Sequence, residues 1–541
     1  MFGVTGVIAI AFVLWGMIST PSLGKASAHA QDWVITNTGW FFVLSSTFFV
    51  IFVIWLAASK YGRIPLGADG EKPEFRTVSW IAMMFSAGMG IGLMFWGVAE
   101  PLSHYAAPPP GTVDAQTDEA FQTAMATTMF HWALHPWAIY AVVGIAIAYG
   151  TFRKGRKQAI SSAFIPLIGK KRAEGPAGRV IDILAIFATL FGSAASLGLG
   201  ALQIGSGFKF NGWVDSVDKA ILVVVIVVLT IAFIASAVSG VAKGIQWLSN
   251  INMVLALVLA VFVFVAGPTL LILNLLPTAL GDYASQMTEM ASRTAASGDD
   301  AMKDWLAGWT IFYWAWWVSW TPFVGMFIAR ISRGRTIRQF VTGVLIVPSL
   351  VSLVWFAVFG GTAIGVQRDT GSLIGKGGVV DTDSALFQML NELPIASITT
   401  VLVMVLVGIF FVSGADAASI VMGSLSERGA DEPSKRTVVF WGSLTGAVAA
   451  IMLVIGGDEA LTGLQNITVV AAVPFVLVMV ALCVSLYKDL QTDPIVVHER
   501  LGIEMVEDAV ATGVEEHDGD FVLVVEAADP SADKPADETS G

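Results

Sequence analysis

One cysteine in 541 residues, Cys483, excludes an intramolecular disulfide. Charge is as scarce. Only 13% of residues are Asp, Glu, Lys or Arg, 55% are hydrophobic, and the mean hydropathy is +0.73. A soluble domain carries roughly a quarter of its residues charged, so a soluble fold is excluded and most of this chain lies in a lipid bilayer. The apolar stretches also lack a nucleophile–base pair or a local metal-ligand cluster, which argues against a membrane enzyme. No nucleic-acid partner is expected.

What is present is a series of apolar runs about 20 residues long, near 1–20, 39–58, 79–99, 121–151, 181–205, 219–239, 249–274, 305–328, 337–363, 397–422, 437–456 and 467–487. They predict an all-α polytopic membrane protein with twelve transmembrane helices. With the N-terminus inside, the cytoplasmic loops hold 20 Lys and Arg and the outer loops 7. The positive-inside rule then places both termini in the cytoplasm of a cell (inner or plasma) membrane protein. Arg153, Lys154, Arg156 and Lys157 mark one inner loop, and Arg330, Arg333, Arg335 and Arg338 another. The N-terminal run resembles a signal peptide but lacks a basic n-region, and a retained first helix keeps the charge pattern even. The net charge of −12 sits beyond residue 487, where 15 acidic residues face three basic ones. That acidic tail is expected to be disordered from Asp529, with one short strand over Phe521–Val525.

The most informative stretch is Gly308 to Arg335, which places five tryptophans between 309 and 320 and carries Pro322 and Gly325 inside an apolar run. Tryptophan in membrane proteins favours the interfaces; Trp314, Trp316, Trp317 and Trp320 in the body of a span suggest aromatic faces turned toward a bound group, with helix packing as the alternative. Upstream, the third span reads Ser86-Ala-Gly-Met-Gly-Ile-Gly, with Gly88, Gly90 and Gly92 at every second residue. Each glycine disfavours helix by about 1 kcal/mol relative to alanine, and unwound backbone at membrane depth survives only beside a cavity or inside protein. Both spans are therefore expected to be interrupted.

In the fourth span, at about 100° per residue, Trp132, Trp137 and Tyr140 fall on one side of a continuous helix. His131 and His135 have i, i+4 spacing, but no carboxylate or cysteine accompanies them in the span, so satisfied polar packing is the expectation. The fifth span offers Thr189, Ser193 and Ser196 among small residues, with Asp182 expected to be solvated at its inner end. Leu276, Leu280, Tyr283, Met287 and Met290 trace an amphipathic interfacial helix. The tenth span carries Ser413 and Asp416, the acid being either functional or near the inner end.

This organisation divides the chain into two peripheral N-terminal helices (1–60), a first five-helix repeat (79–274), an interfacial helix (275–300), a second, inverted five-helix repeat (305–487) and the acidic tail (488–541). Paired interrupted helices in two halves point to a transporter site near the midplane. Converging aromatics without Lys or Arg suit a quaternary ammonium, at about 0.5–2 kcal/mol per cation–π contact. A carboxylate on the same molecule would meet free backbone N–H groups around Gly88, Gly90 and Gly92.

The segments AGMGIGLMFWGVAEPL, TTMFHWALHPWAIYA, SLGLGALQIG, KGIQWLSN, FYWAWWVSWTPFVGMFIARISRGRTIR and GADAASIVMG closely resemble the betaine/carnitine/choline transporter family, above all its sodium-coupled glycine betaine importers. The resemblance implies a LeuT-like 5+5 inverted repeat behind two extra helices, a homotrimer, and sodium as the coupling ion with no further cofactor. It implies an aromatic box of Trp132, Trp137, Tyr140 and Trp317, flanked by Trp316 and Trp320. It places one sodium at Ser86, Met89, Phe410, Ser413 and Gly414, and another at Thr189, Ser193 and Phe323. Gly414 stands where betaine carriers have a second hydroxyl, which leaves sodium stoichiometry and proton coupling open. Choline, carnitine and ectoine remain alternative cargoes, and a substrate-binding sensor an alternative role. Osmosensing members end in a basic helix, so osmotic activation is not expected of this acidic tail.

Overall fold

A computed structural model of the chain describes residues 1–88, 90–239, 242–430, 432–456 and 460–524, and only the backbone of 85–88, 238–239, 242–249 and 460. Among these the architecture is helical, with a single isolated antiparallel bridge between Pro65 and Thr336. The long helices are α1 (Phe2–Ile18), α2 (Thr20–Ala58), α3 (Thr77–Gly88), α4 (Ile91–Ala106), α5 (Asp118–Trp132), α6 (Leu134–Ala148), α7 (Pro176–Phe210) and α8 (Lys219–Ser239). They continue as α9 (Ala242–Ala266), α10 (Thr269–Ser292), α11 (Thr310–Arg330), α12 (Ile337–Thr370), α13 (Ala396–Ser426), α14 (Lys435–Ile455), α15 (Ala460–Gln491) and α16 (Pro494–His517). Among the described residues eight helices are long and apolar enough to cross a bilayer, or nine if Asn250–Ala266 and Thr269–Ser292, bent by 109°, count as one. The chain is a multi-pass membrane protein.

Residues 1–488 form one compact unit. Its centre is α11, packed most extensively on α6 and also on α7. Trp314 and Trp316 of α11 are fully buried. Inside a bilayer such burial acts through close packing rather than water exclusion. Gly325 owes its identity to this crossing, because a Cβ there would lie 2.8 Å from Val143 of α6.

The expectation of an interruption in the Trp-rich span is corrected: α11 runs unbroken through Pro322 and Gly325. Proline removes the N–H that the Val318 carbonyl would accept. Neighbouring hydroxyls bond adjacent carbonyls, Ser319 donating to that of Trp316 at 2.7 Å and Thr321 to that of Trp317 at 2.8 Å. Neither bond replaces the one lost at Val318, and it is the packing of α11 on α6 and α7 that holds the helix together.

α10 turns away from α9 at Gly267 and Pro268. Of its expected stripe, Tyr283 and Met290 are buried, Leu276 and Met287 half-buried, and Leu280 exposed; the buried register runs through Ile272, Leu275 and Ala279 instead. Three basic loops meet on one side. Leu66 N–H donates to the Arg335 carbonyl (2.7 Å), Gly334 N–H to the Leu66 carbonyl (2.9 Å) and Ile337 N–H to the Ile64 carbonyl (3.0 Å). Arg153 reaches Asp69 at 2.5 Å and Arg333 reaches Glu71 at 2.7 Å. The Ala68 backbone N–H, assisted by Arg333, holds the Glu71 carboxyl below its ordinary range.

The second unit, residues 489–541, is described to residue 524. Asp493 caps α16 by accepting from Ile495 N–H at 3.1 Å. Past the left-handed residues Asp518 and Gly519 the chain doubles back, bringing Phe521 against Gly513. The tail is thus helical over 494–517, and Phe521–Val524 forms no strand. Residue 525 and the stretch from Asp529 lie outside the described residues.

Candidate substrate and ion sites

The glycine run interrupts its span. α3 ends at Gly88, Gly90 is extended (φ −171°, ψ −176°) and α4 begins at Ile91. The first N–H groups of α4 have no intrahelical acceptor. Gly92 is required by close approach, since a Cβ there would stand 2.8 Å from the Trp316 ring and 3.0 Å from the Trp132 ring.

The fourth span is also broken, which corrects the expectation of one continuous helix carrying Trp132, Trp137 and Tyr140. α5 stops at Trp132 and α6 starts at Leu134, with Ala133 between them outside helical geometry (φ −101°, ψ −111°). The cause is Pro136, which has no N–H to give the Trp132 carbonyl. That carbonyl accepts instead from the Ser352 hydroxyl of α12 at 3.0 Å.

The aromatic residues nevertheless meet. Trp132 stands edge-on to Trp317 with centroids 4.8 Å apart, Tyr140 lies 6.3 Å from Trp317, and Trp137 contacts Tyr140 at 5.4 Å. Trp316 stacks on Trp317 at 4.7 Å and 15°. Together with Gly90, Gly92 and Trp320 these rings line a cavity of only about 40 Å³. Four of the five indole N–H groups are anchored: Trp317 donates to the His131 carbonyl (3.0 Å), Trp316 to the Ser196 hydroxyl (3.2 Å) and Trp320 to the Gly192 carbonyl (3.0 Å). Trp132 donates to the Glu100 carboxylate at 2.6 Å.

A second cavity, of about 220 Å³, shares Gly90 and Trp320 with the first. Ser193, Ser196, Phe323, Phe410, Ser413 and Gly414 line it, so residues assigned to two separate ions open onto one space. Ser413 donates to its own helix at the Ile409 carbonyl (2.9 Å). Thr189 is buried, donates to the Ala185 carbonyl (2.9 Å) and does not line the cavity. Ser86 and Gly88 belong to the backbone-only end of α3, and Met89 lies outside the described residues.

Several residues near these cavities escape a reading of local sequence. Glu100, fully buried, joins His131 Nδ1 at 2.6 Å and also accepts from the Tyr313 hydroxyl; the aromatic site is therefore not free of acids. His131 pairs with Glu100 rather than with His135, whose ring stacks on Trp314 at 5.0 Å. Asn252, 1% exposed, lines the larger cavity with no hydrogen-bond partner for its amide among the described residues. Asp182 is buried, not solvated, and accepts from Ser161 N–H (2.9 Å) and the Ser161 hydroxyl (2.7 Å). An acid within an apolar span is the available signal for Glu100; Asn252 carries none.

Known proteins match this chain over nearly its whole length. The betaine/ectoine transporter LcoP of Corynebacterium glutamicum is 46% identical over 529 residues, covering 98% of this chain and 83% of that protein. The glycine betaine transporter OpuD of Bacillus subtilis is 43% identical over 495 residues, covering 91% of this chain and 94% of its own. A solved structure, the substrate-bound outward-open state of a Na+-coupled sialic acid symporter, aligns over 81% of this chain and 85% of its own. Its 14% identity and TM-score of 0.36 carry no argument. Residues 1–495 match the family described as BCCT, betaine/carnitine/choline family transporter. The chain is a transporter, not an enzyme, and belongs to the betaine/carnitine/choline transporter family.

Proposed function

We propose that this chain imports glycine betaine or a similar quaternary ammonium compatible solute by sodium symport with alternating access. The observation that carries the reading is the meeting of Trp132, Trp137, Tyr140 and Trp317 beside the backbone break at Gly90. A trimethylammonium group has its charge spread over methyls, and ring faces attract it without the desolvation a point charge would demand. The rings touch one another at 4.8 to 6.3 Å. They must part to admit a ligand, and that links binding to a change of shape. The carboxylate end is met by the free N–H groups at the start of α4, where the helix dipole favours negative charge. Sodium, as a transported ion, is assigned to the larger cavity, with Ser193, Ser413 and the carbonyl of Gly414 as oxygen donors and Phe323 and Phe410 as walls. Thr189, Ser86 and Met89 complete the two sodium sets implied by the family resemblance.

The architecture proposed with this function has twelve spans. Phe2–Ile18, the α3–α4 pair and α11 join the more apolar helices, as two peripheral N-terminal helices (1–60) and inverted five-helix repeats (79–274 and 305–487) of LeuT type around the interfacial helix (275–300). Both termini are assigned to the cytoplasm, because the basic loops share one side, and the assembly is a homotrimer. Ectoine is the alternative cargo with a specific support, since the relative from Corynebacterium glutamicum is named for both solutes.

The test is uptake of radiolabelled betaine, ectoine, choline and carnitine into proteoliposomes under imposed sodium or proton gradients. Betaine accumulation that needs inward sodium supports the reading. Accumulation under a proton gradient alone overturns the sodium assignment, and binding without flux overturns transport in favour of a sensor.

A further inference from the structure

We propose that Glu100 supplies the negative charge of the substrate-cation site, acting through the indole of Trp132; the proposal rests on the reading above. Glu100 is completely buried on α4, and donors reach it from two other helices. One carboxylate oxygen, Oε2, accepts from Trp132 Nε1–H at 2.6 Å and from the Tyr313 hydroxyl, and the other, Oε1, lies 2.6 Å from His131 Nδ1. An indole N–H can only donate. A proton on Oε2 would point at it, so Oε2 only accepts; the carboxylate form follows when His131 Nδ1 carries the hydrogen toward Oε1, and it is this form that the proposal assigns. With the Nδ1–H tautomer, His131 donates to Oε1 while its Nε2, 3.0 Å away, accepts from the Thr310 hydroxyl. In that arrangement the ring is neutral and the cluster carries one negative charge.

The charge stands uncancelled with His104 neutral. His104, on the same helix, holds its Nε2 3.4 Å from Oε1, and both its ring nitrogens lack a hydrogen-bond partner among the described residues. Arg293, within electrostatic range of both histidines, is itself bound to Glu289 at 2.9 Å. Nor does the triad form a metal site. Ligands held about 2.0–2.1 Å from a tetrahedral zinc stand about 3.3 Å apart. Glu100 and His131 are at hydrogen-bond distance instead, 2.6 Å.

The consequence for the box is direct. A carboxylate on the indole N–H draws that hydrogen outward and leaves the Trp132 face richer in electrons. Its field also reaches a cation on that face through a low-dielectric interior. The same bond fixes the ring that packs at 4.8 Å against Trp317. Glu100 is thus a positioning residue with an electrostatic role, and the two roles separate by experiment.

Glu100→Gln keeps the shape: the amide oxygen accepts from Trp132 and Tyr313, and the NH2 donates to the other tautomer of His131. The full-length chain in lipid nanodiscs is titrated by tryptophan fluorescence with glycine betaine and with tert-butylacetate, its isostere in which carbon replaces the charged nitrogen. E100Q is expected to weaken betaine binding about tenfold or more and to change tert-butylacetate binding less than about twofold. Equal losses for both ligands, or no loss for either, overturn the electrostatic role. Glu100→Asp retains the charge if E100Q does not assemble, and it is expected to keep the preference for betaine; loss of that preference in E100D overturns the proposal. A wild-type chain indifferent to betaine overturns the substrate reading and this proposal with it. Wild-type binding with E100Q unchanged overturns this proposal alone.

Discussion

The glycine-rich third span and the tryptophan-rich span of α11 face each other across the candidate site, and each carries residues that disfavour helix. They respond differently. The first separates at Gly88 to Ile91, whereas α11 stays continuous through Pro322 and Gly325. The difference lies in the neighbours. At Gly92 no side chain fits between the bound rings of Trp132 and Trp316. Around Pro322 the Ser319 and Thr321 hydroxyls bond the turn, and Val143 of α6 packs onto Gly325. Residues that weaken a helix open it or not according to what packs around them.

The contrast can be broken from either side. Trp317→Ala removes a ring from the rigid partner and is expected to lower betaine uptake at subsaturating concentration by roughly 30-fold or more, the equivalent of about 2 kcal/mol of cation–π attraction. The check is uptake at equal membrane abundance, and undiminished uptake would falsify the box assignment. Gly92→Ala pushes a methyl into two rings, an overpacking worth about 1–3 kcal/mol. It should raise the betaine KM about tenfold while the protein still inserts; an unaltered KM means that the rings yield freely.

Smaller effects test the ion cavity and the continuous helix. Ser413→Ala should raise the sodium concentration for half-maximal transport about threefold, the loss of one weak oxygen ligand, and an unchanged sodium curve removes Ser413 from the ion site. Pro322→Ala returns an N–H to a helix that is already whole. Uptake should therefore stay within about twofold and thermal stability should hold or rise slightly. A large fall in uptake would mean that the proline matters for a second conformation in which α11 bends.

Much of this was legible from residue patterns. Trp316, Trp317 and Trp320, and the alternating glycines from Gly88 to Gly92, carry their chemistry in local sequence, because packing demands and backbone freedom show in the residues themselves. Tyr313 and Asn252 do not, and Glu100 shows only as an acid in an apolar span, without its partners. Their meaning comes from partners far along the chain, such as the 31 residues separating Glu100 from His131. Asp182 reads as solvated for the same reason, since nothing adjacent announces Ser161 as its partner. Pro322 misleads in the opposite sense, a local signal overridden by tertiary packing. The break after Trp132 was legible in Pro136, whose missing N–H leaves the Trp132 carbonyl to Ser352.

The isolated backbone bridge at Pro65 and Thr336 sets a mechanical condition on any transport cycle. The segment at 64–66 is fastened by three backbone hydrogen bonds to the joint between α11 and α12. If α11 rocks to expose its cargo to the other side, that joint must drag the α2–α3 connection with it or release the clasp, so the tryptophan helix and the approach to the glycine break move together for as long as the clasp holds.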